Sequence, residues 1–214
     1  MTMTFPEYTR GERIADACVH VAGVSASIIA ASVLLVVAFN YLAPEAAASA
    51  SIYSAGLVAV FCCSAAYHLT RASRLKEVLR RFDHAAIYVK IAATYTPFAV
   101  VKMGGLAGFG LLTGVWIAAL VGVLAKLIVP GQFVRTAYVL YLAQGWAGLI
   151  VMKPLLLTLS TTALVLLLVG GVLYTVGVVF HLWQRLRYHN AIWHGFVLAA
   201  SGCHFAAIVN ALTT

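Results

Sequence analysis

Chemistry in this chain rests on histidines, one serine hydroxyl and a few acids. Glu12, Asp16 and His20 recur at i, i+4 and i+8, so on a helix they form one polar stripe. Ser64 and His68 are spaced i, i+4, which turns a hydroxyl and an imidazole the same way. Asp83 and His84 are adjacent, and "YHNAIWHG" at 188–195 holds His189 and His194, five residues apart. Five residues rotate a side chain by about 140° on an ideal helix, against about 40° for four. Imidazole and carboxylate suit zinc, which takes three protein ligands and a water in catalytic sites. By type and depth, His68, Asp83 and His194 form one candidate set, provided that their helices are neighbours.

The elements that must position these groups are membrane spans. Of 214 residues, 63% are hydrophobic and 9% charged, with a mean hydropathy of +0.98. Soluble domains carry roughly 25% charged residues. The composition predicts an all-α integral membrane protein, a single domain over 1–214 with a short cytoplasmic segment at about 1–13. Apolar runs of about 20 residues predict seven spans: Asp16–Leu42, Ser51–Leu69, Asp83–Val101, Leu106–Val129, Thr136–Met152, Leu155–Phe180 and Asn190–Leu212. Pro44, the basic run 71–81, "KMGG" (102–105), "PGQ" (130–132) and "KP" (153–154) mark the breaks. With the N-terminus inside, the inner segments hold Arg10, Arg13, Arg71, Arg74, Lys76, Arg80, Arg81, Lys126, Arg135, Arg185 and Arg187. The outer ones hold Lys102 and Lys153, and Lys90 falls within the third span. This asymmetry predicts a cytoplasmic N-terminus and an outer C-terminus. The net charge of +8 therefore reads as orientation, not as nucleic-acid binding.

In that topology His20, His68, His84, His181, His189 and His194 share the cytoplasmic leaflet with Asp16 and Asp83. Polar residues in a membrane are costly and face the bundle interior. Independent structural histidines have no reason to share one leaflet, so a joint site is the expectation. Plainer roles suit others. His84 and His181 read as water-contacted helix ends, His204 as a hydrogen-bonded packing residue, and Glu12 and Asp16 as ties between helix one and its neighbours. Cys18, Cys62, Cys63 and Cys203 read as small core residues without disulfides. "TYTPF" (94–98) reads as packing with a proline kink. "AAASA" (46–50) looks like a cleavage site, but the run before it is too long for a signal peptide and is read as a retained span.

Four segments carry a family resemblance: "ERIADACVHVAG" (12–23), "SAAYHLT" (64–70), "RRFDHAAIYVKIAATYTPF" (80–98) and "NAIWHGFVLAASGCHFAAI" (190–208). In this order they resemble the hemolysin III proteins, related to the progestin and adipoQ receptors and more distantly to alkaline ceramidases. The resemblance implies seven helices and a zinc ion near the cytoplasmic side, held by three histidines, with an Asp and a Ser acting on water or the substrate carbonyl. Carried over, these are His68 and His194 as ligands and Asp83 and Ser64 as catalytic groups. The family's HxxxH would place the remaining ligand at position 190, which here is Asn190. Three resolutions stand open. A one-residue bulge brings in His189, the favoured third ligand; Asn190 or Asp83 completes the shell; or the metal is weak or absent. His204 lies ~15 Å beyond His194 along a helix, too far to share the ion.

The functional expectation is a multi-pass protein of a bacterial-type inner (plasma) membrane. It would be a zinc-dependent hydrolase of lipid amide or ester bonds, with a membrane lipid or lipid-like substrate and no nucleic-acid partner. The alternatives are a non-enzymatic receptor or regulator of membrane lipid state with a structural zinc, or the pore-forming cytolysin of the family name.

Overall fold

The computed structural model describes residues 8–71, 74–128 and 134–214, with the side chains of 134–136 left out. Among the described residues the structure is helical throughout, without strands. The helices are α1 (Arg10–Tyr41), α2 (Pro44–Leu69), α3 (Arg74–Pro97), α4 (Gly105–Ile128), α5 (Val134–Gly145), α6 (Met152–Thr158), α7 (Thr161–Leu182) and α8 (His189–Thr213). A π-helical turn, Phe98–Met103, continues α3, and a 3₁₀ turn, Ala147–Val151, joins α5 to α6.

Among the described residues, six helical segments are long and apolar enough to cross a membrane: α1, α2, α4, the run Ala137–Thr158, α7 and α8. The long helix outside this set is α3, which carries Asp83 and Lys90. Its position explains why it need not be apolar. It packs against α2, α4, α5 and α8, and Asp83, Lys90, Thr94 and Thr96 are buried. The other helices shield its polar groups, while Ile29, Val36, Phe39, Leu120 and Val179 point outward. Apolar side chains outside and polar ones inside is the arrangement a bilayer demands.

Several boundaries differ from the sequence reading. α2 starts at Pro44, a favoured first-turn proline, seven residues before Ser51. Much of the basic run 71–81 is helix, because α3 starts at Arg74. The fifth and sixth spans separate at Leu159–Ser160, not at Lys153–Pro154. Pro154 falls in the first turn of α6, where a missing N–H costs little, and Ser160 caps α7 by accepting the Ala163 N–H at 3.1 Å. "KMGG" is a true reversal: Gly104 and Gly105 have φ of +55° and +52°, a region open to glycine. "PGQ" lies outside the described residues. The proline of "TYTPF" does perturb its helix, since the π-helical turn begins immediately after Pro97. α4 closes onto that turn so tightly that a Cβ at Gly108 would stand 2.5 Å from the Ala99 carbonyl oxygen. The four cysteines are free, but Cys18 and Cys62 are exposed, not core; small apolar side chains suit a lipid-facing surface equally well.

The main core links α2 to α8 and the π-helical turn through Tyr53, Leu57, Phe61, Phe98 and Ile208. A second cluster joins α3 to α4 through Tyr88, Leu111 and Val115. A cavity of about 1660 Å³ is lined by residues of all eight helices, Phe61 and Phe98 of the main core among them.

Candidate metal centre

The polar stripe of α1 is real, and each member has a task. Thr9 and Glu12 form a capping box, with Glu12 N–H donating to Thr9 Oγ1 and the Glu12 carboxylate accepting from Thr9 N–H at 2.9 Å. Its other oxygen accepts the Tyr188 N–H at 3.2 Å. That ties the start of α1 to the start of α8, where Tyr188 holds the chain at φ +62°. One turn on, Asp16 Oδ1 accepts from Asn190 Nδ2 at 2.8 Å. One turn further, His20 is 2% exposed. Glu12 and Asp16 thus join helix one to its neighbours as expected.

His20, His68 and His194 form a compact group from α1, α2 and α8. A ligand nitrogen from each lies within 4.8 Å of the others, and ring centroids are 4.3–4.7 Å apart. Asp16 touches all three: Nδ1 of His20 and His194 lie 3.5 Å from Oδ1, and Nδ1 of His68 lies 3.4 Å from Oδ2. His20 Nδ1 also meets the Asp16 carbonyl oxygen at 2.7 Å, and His194 Nδ1 meets that of Asn190 at 3.0 Å. Hydrogen bonding at Nδ1 fixes the tautomer and leaves Nε2 as the ligand atom. Two of the Nε2 atoms face one hydroxyl: Ser64 Oγ is 3.2 Å from His20 Nε2 and 3.3 Å from His194 Nε2. From α3, the buried Asp83 carboxyl interacts with Ser64 and His194.

The donor set fits a metal. Three imidazoles on separate helices, His20 fully buried and His68 half-buried, backed by a carboxylate and by backbone carbonyls, are the kind of donor set and supporting shell that hold a metal ion.

His68, His194, Ser64 and Asp83 are therefore brought together. His189 is not part of the group. α8 is regular α-helix from His189 onward, with no bulge, so His189 and Asn190 point about 100° apart. The His189 ring lies 6.1 Å from the Tyr8 ring, and its buried Nδ1 has no hydrogen-bond partner among the described residues. Asn190, at the i−4 position to His194, holds Asp16 and lies 3.1 Å from His68 Nδ1. His189, favoured as third ligand on the family resemblance and a one-residue bulge, lies outside the group, whose third member is His20. Its signal was available: His20 shares the helix face and leaflet of Asp16. Of the remaining histidines, His181 Nε2 meets the Tyr138 hydroxyl at 3.0 Å. His84 offers its backbone oxygen to Tyr141, and His204 lies deeper, beside Tyr174.

The fold and site define a polytopic helical membrane protein with a polar, histidine-rich centre inside its bundle. The family profile described as "Haemolysin-III related" matches residues 11–205, and the chain belongs to that family. It is 38% identical over 202 residues to the "Hemolysin-3 homolog" of Bacillus subtilis (strain 168), covering 94% of this chain and 95% of that one. It is 33% identical to "Hemolysin-3" of Bacillus cereus, covering 92% and 90%. The human "Monocyte to macrophage differentiation factor" is 30% identical over 166 residues, covering 75% of this chain and 68% of its own.

Proposed function

We propose that this protein is a zinc-dependent intramembrane hydrolase acting on an amide or ester of a membrane lipid. The observation that carries the reading is the meeting of His20, His68 and His194 with Ser64 and Asp83 at the wall of one large cavity. The three histidines would hold the metal, which when bound supplies Lewis acidity and brings the pKa of water down to about 7. Asp83 accepts the proton of the attacking water and passes it to the leaving amine or alcohol as the C–N or C–O bond breaks. Ser64 Oγ–H donates to the developing oxyanion. The cavity's apolar lining, including Leu155, Leu164 and Leu167, suits acyl chains.

Purified zinc-loaded protein is expected to release fatty acid from a panel of ceramide-like amides and acyl esters. Asp83→Asn is expected to lower that rate by about 10²–10⁴-fold while keeping the metal. No release across the panel by folded, zinc-loaded protein overturns the reading. A second reading, a metal staple in a non-enzymatic receptor, is favoured by one observation: the three histidines come from three different helices. It predicts inert protein whose melting temperature falls sharply on chelation.

The proposed topology has seven crossings, with α3 as the polar one, a cytoplasmic N-terminus and an outer C-terminus, in a bacterial-type inner membrane. Alkaline phosphatase fused after Thr214 is expected to be active, and fused after Arg187 inactive, when expressed in a bacterium. The reverse pattern overturns this orientation.

A further inference from the structure

The proposed chemistry leaves a buried lysine unused. Lys90 sits near the middle of the helical run Arg74–Met103, is 5% exposed, and lines the same cavity as the histidines. It lies seven residues after Asp83, on the same face of α3 and ~10 Å along the axis. Its ammonium donates to the Tyr174 hydroxyl at 2.5 Å and lies 4.5 Å from the centroid of that ring. The Tyr174 hydroxyl in turn meets Ser201 Oγ at 2.7 Å. These contacts occupy one of three N–H donors. The ion pairs found among the described residues join Asp16 to histidines, and Lys90 takes part in none. Fixed on Tyr174, the side chain is turned inward and not extended toward a membrane surface.

A lysine at mid-bundle is expensive unless it is paired. The cavity supplies room for the partner: about 1660 Å³, against roughly 300–1,000 Å³ for ordinary ligand pockets. Beyond Lys90, away from His20, His68 and His194, its lining includes Ile91, Phe98, Leu155, Leu164 and Leu167, with His204 beside Tyr174, ring centroids 5.5 Å apart. The cavity's other cations, Arg13, Arg71, Lys76, Arg80, Arg81 and Lys126, lie toward helix ends, whereas Lys90 is buried at mid-helix; with a phenol beside it and apolar side chains beyond, it fits a singly charged anion on a single alkyl chain.

We infer that Lys90, with Tyr174 and Ser201 behind it, forms a second binding site in the cavity, which takes the carboxylate of a long-chain fatty acid. The carboxylate accepts from the Lys90 ammonium, and the alkyl chain runs toward Phe98 and Leu155. This site stands whether or not the histidine centre hydrolyses anything.

Oleate and oleyl alcohol share one chain and differ in charge. Each is used to displace a fluorescent fatty alcohol from purified protein in a nonionic detergent. The wild type is expected to prefer oleate by at least about ten-fold, as befits a charge-assisted hydrogen bond. Lys90→Met is expected to lose the preference and Lys90→Arg to keep it. Wild type treated with a chelator is expected to keep it too. Equal binding of acid and alcohol by wild type overturns the inference, and that comparison needs no variant to fold. So does a preference that survives in Lys90→Met. A preference lost on chelation also overturns it, since the anion would then sit at the histidines.

Discussion

His20→Ala is expected to empty the proposed metal site, whereas His189→Ala leaves it filled. The expectation rests on geometry. His20 contributes a ligand nitrogen within 4.8 Å of those of His68 and His194, and its Nδ1 is held at the Asp16 carbonyl oxygen. His189 is turned toward Tyr8 by the regular start of α8. Removing a supporting partner of a metal ligand costs about 10–100-fold in affinity, and removing a ligand itself costs more. His68→Ala and His194→Ala should match His20→Ala. Metal content of purified protein by mass spectrometry, with zinc titration against a competing chelator, reads this out. A variant set in which His189→Ala loses the metal and His20→Ala retains it would show that His189 is the ligand and that α8 rearranges on binding.

Asp16→Ala is the second large effect, and it reads the shell behind the ligands. One carboxylate lies within 3.4–3.5 Å of Nδ1 on all three histidines and accepts from Asn190 Nδ2. Its loss is expected to weaken zinc binding by about 10–100-fold. It also strips Asn190 Nδ2 of its carboxylate acceptor, so the metal-free protein should lose about 1–3 kcal/mol. Asp16→Asn keeps the shape and an acceptor oxygen and should fall between the two. The measurements are zinc titration and thermal unfolding in detergent, each on metal-free protein. Zinc affinity unchanged in Asp16→Ala would mean that backbone carbonyls alone orient the imidazoles.

The boundary errors in the sequence reading share a cause. Pro154 looks like a break in any sequence, yet a proline in the first turn of a helix breaks nothing. Ser160, the working cap, is one hydroxyl among several in "TLSTTA" and carries no unique local sign. α3 poses the opposite case. Its charges disqualify it as an apolar span, and only its burial among α2, α4, α5 and α8 makes those charges tolerable. His20 was not singled out as a member of the group for a similar reason. Spacing within "YHNAIWHG" drew attention to a partner on the same helix as His194, whereas the group takes one histidine from each of three helices.

Taken alone, the sequence determined whatever follows from local pattern. Apolar runs, the asymmetry of Lys and Arg, and the i, i+4 pairs require only helical periodicity and the energetics of transfer into lipid. From these came the all-helical membrane class, the stripe Glu12–Asp16–His20, the pair Ser64–His68, and the depth shared by the histidines. Tertiary structure decided which of those groups meet. Whether His20 or His189 faces His194 depends on the rotation of α1 and α8 about their axes, and that is set by packing and by ties such as Glu12 to Tyr188 and Asp16 to Asn190. Periodicity gives the face a residue occupies on its own helix; only the neighbours determine what that face meets.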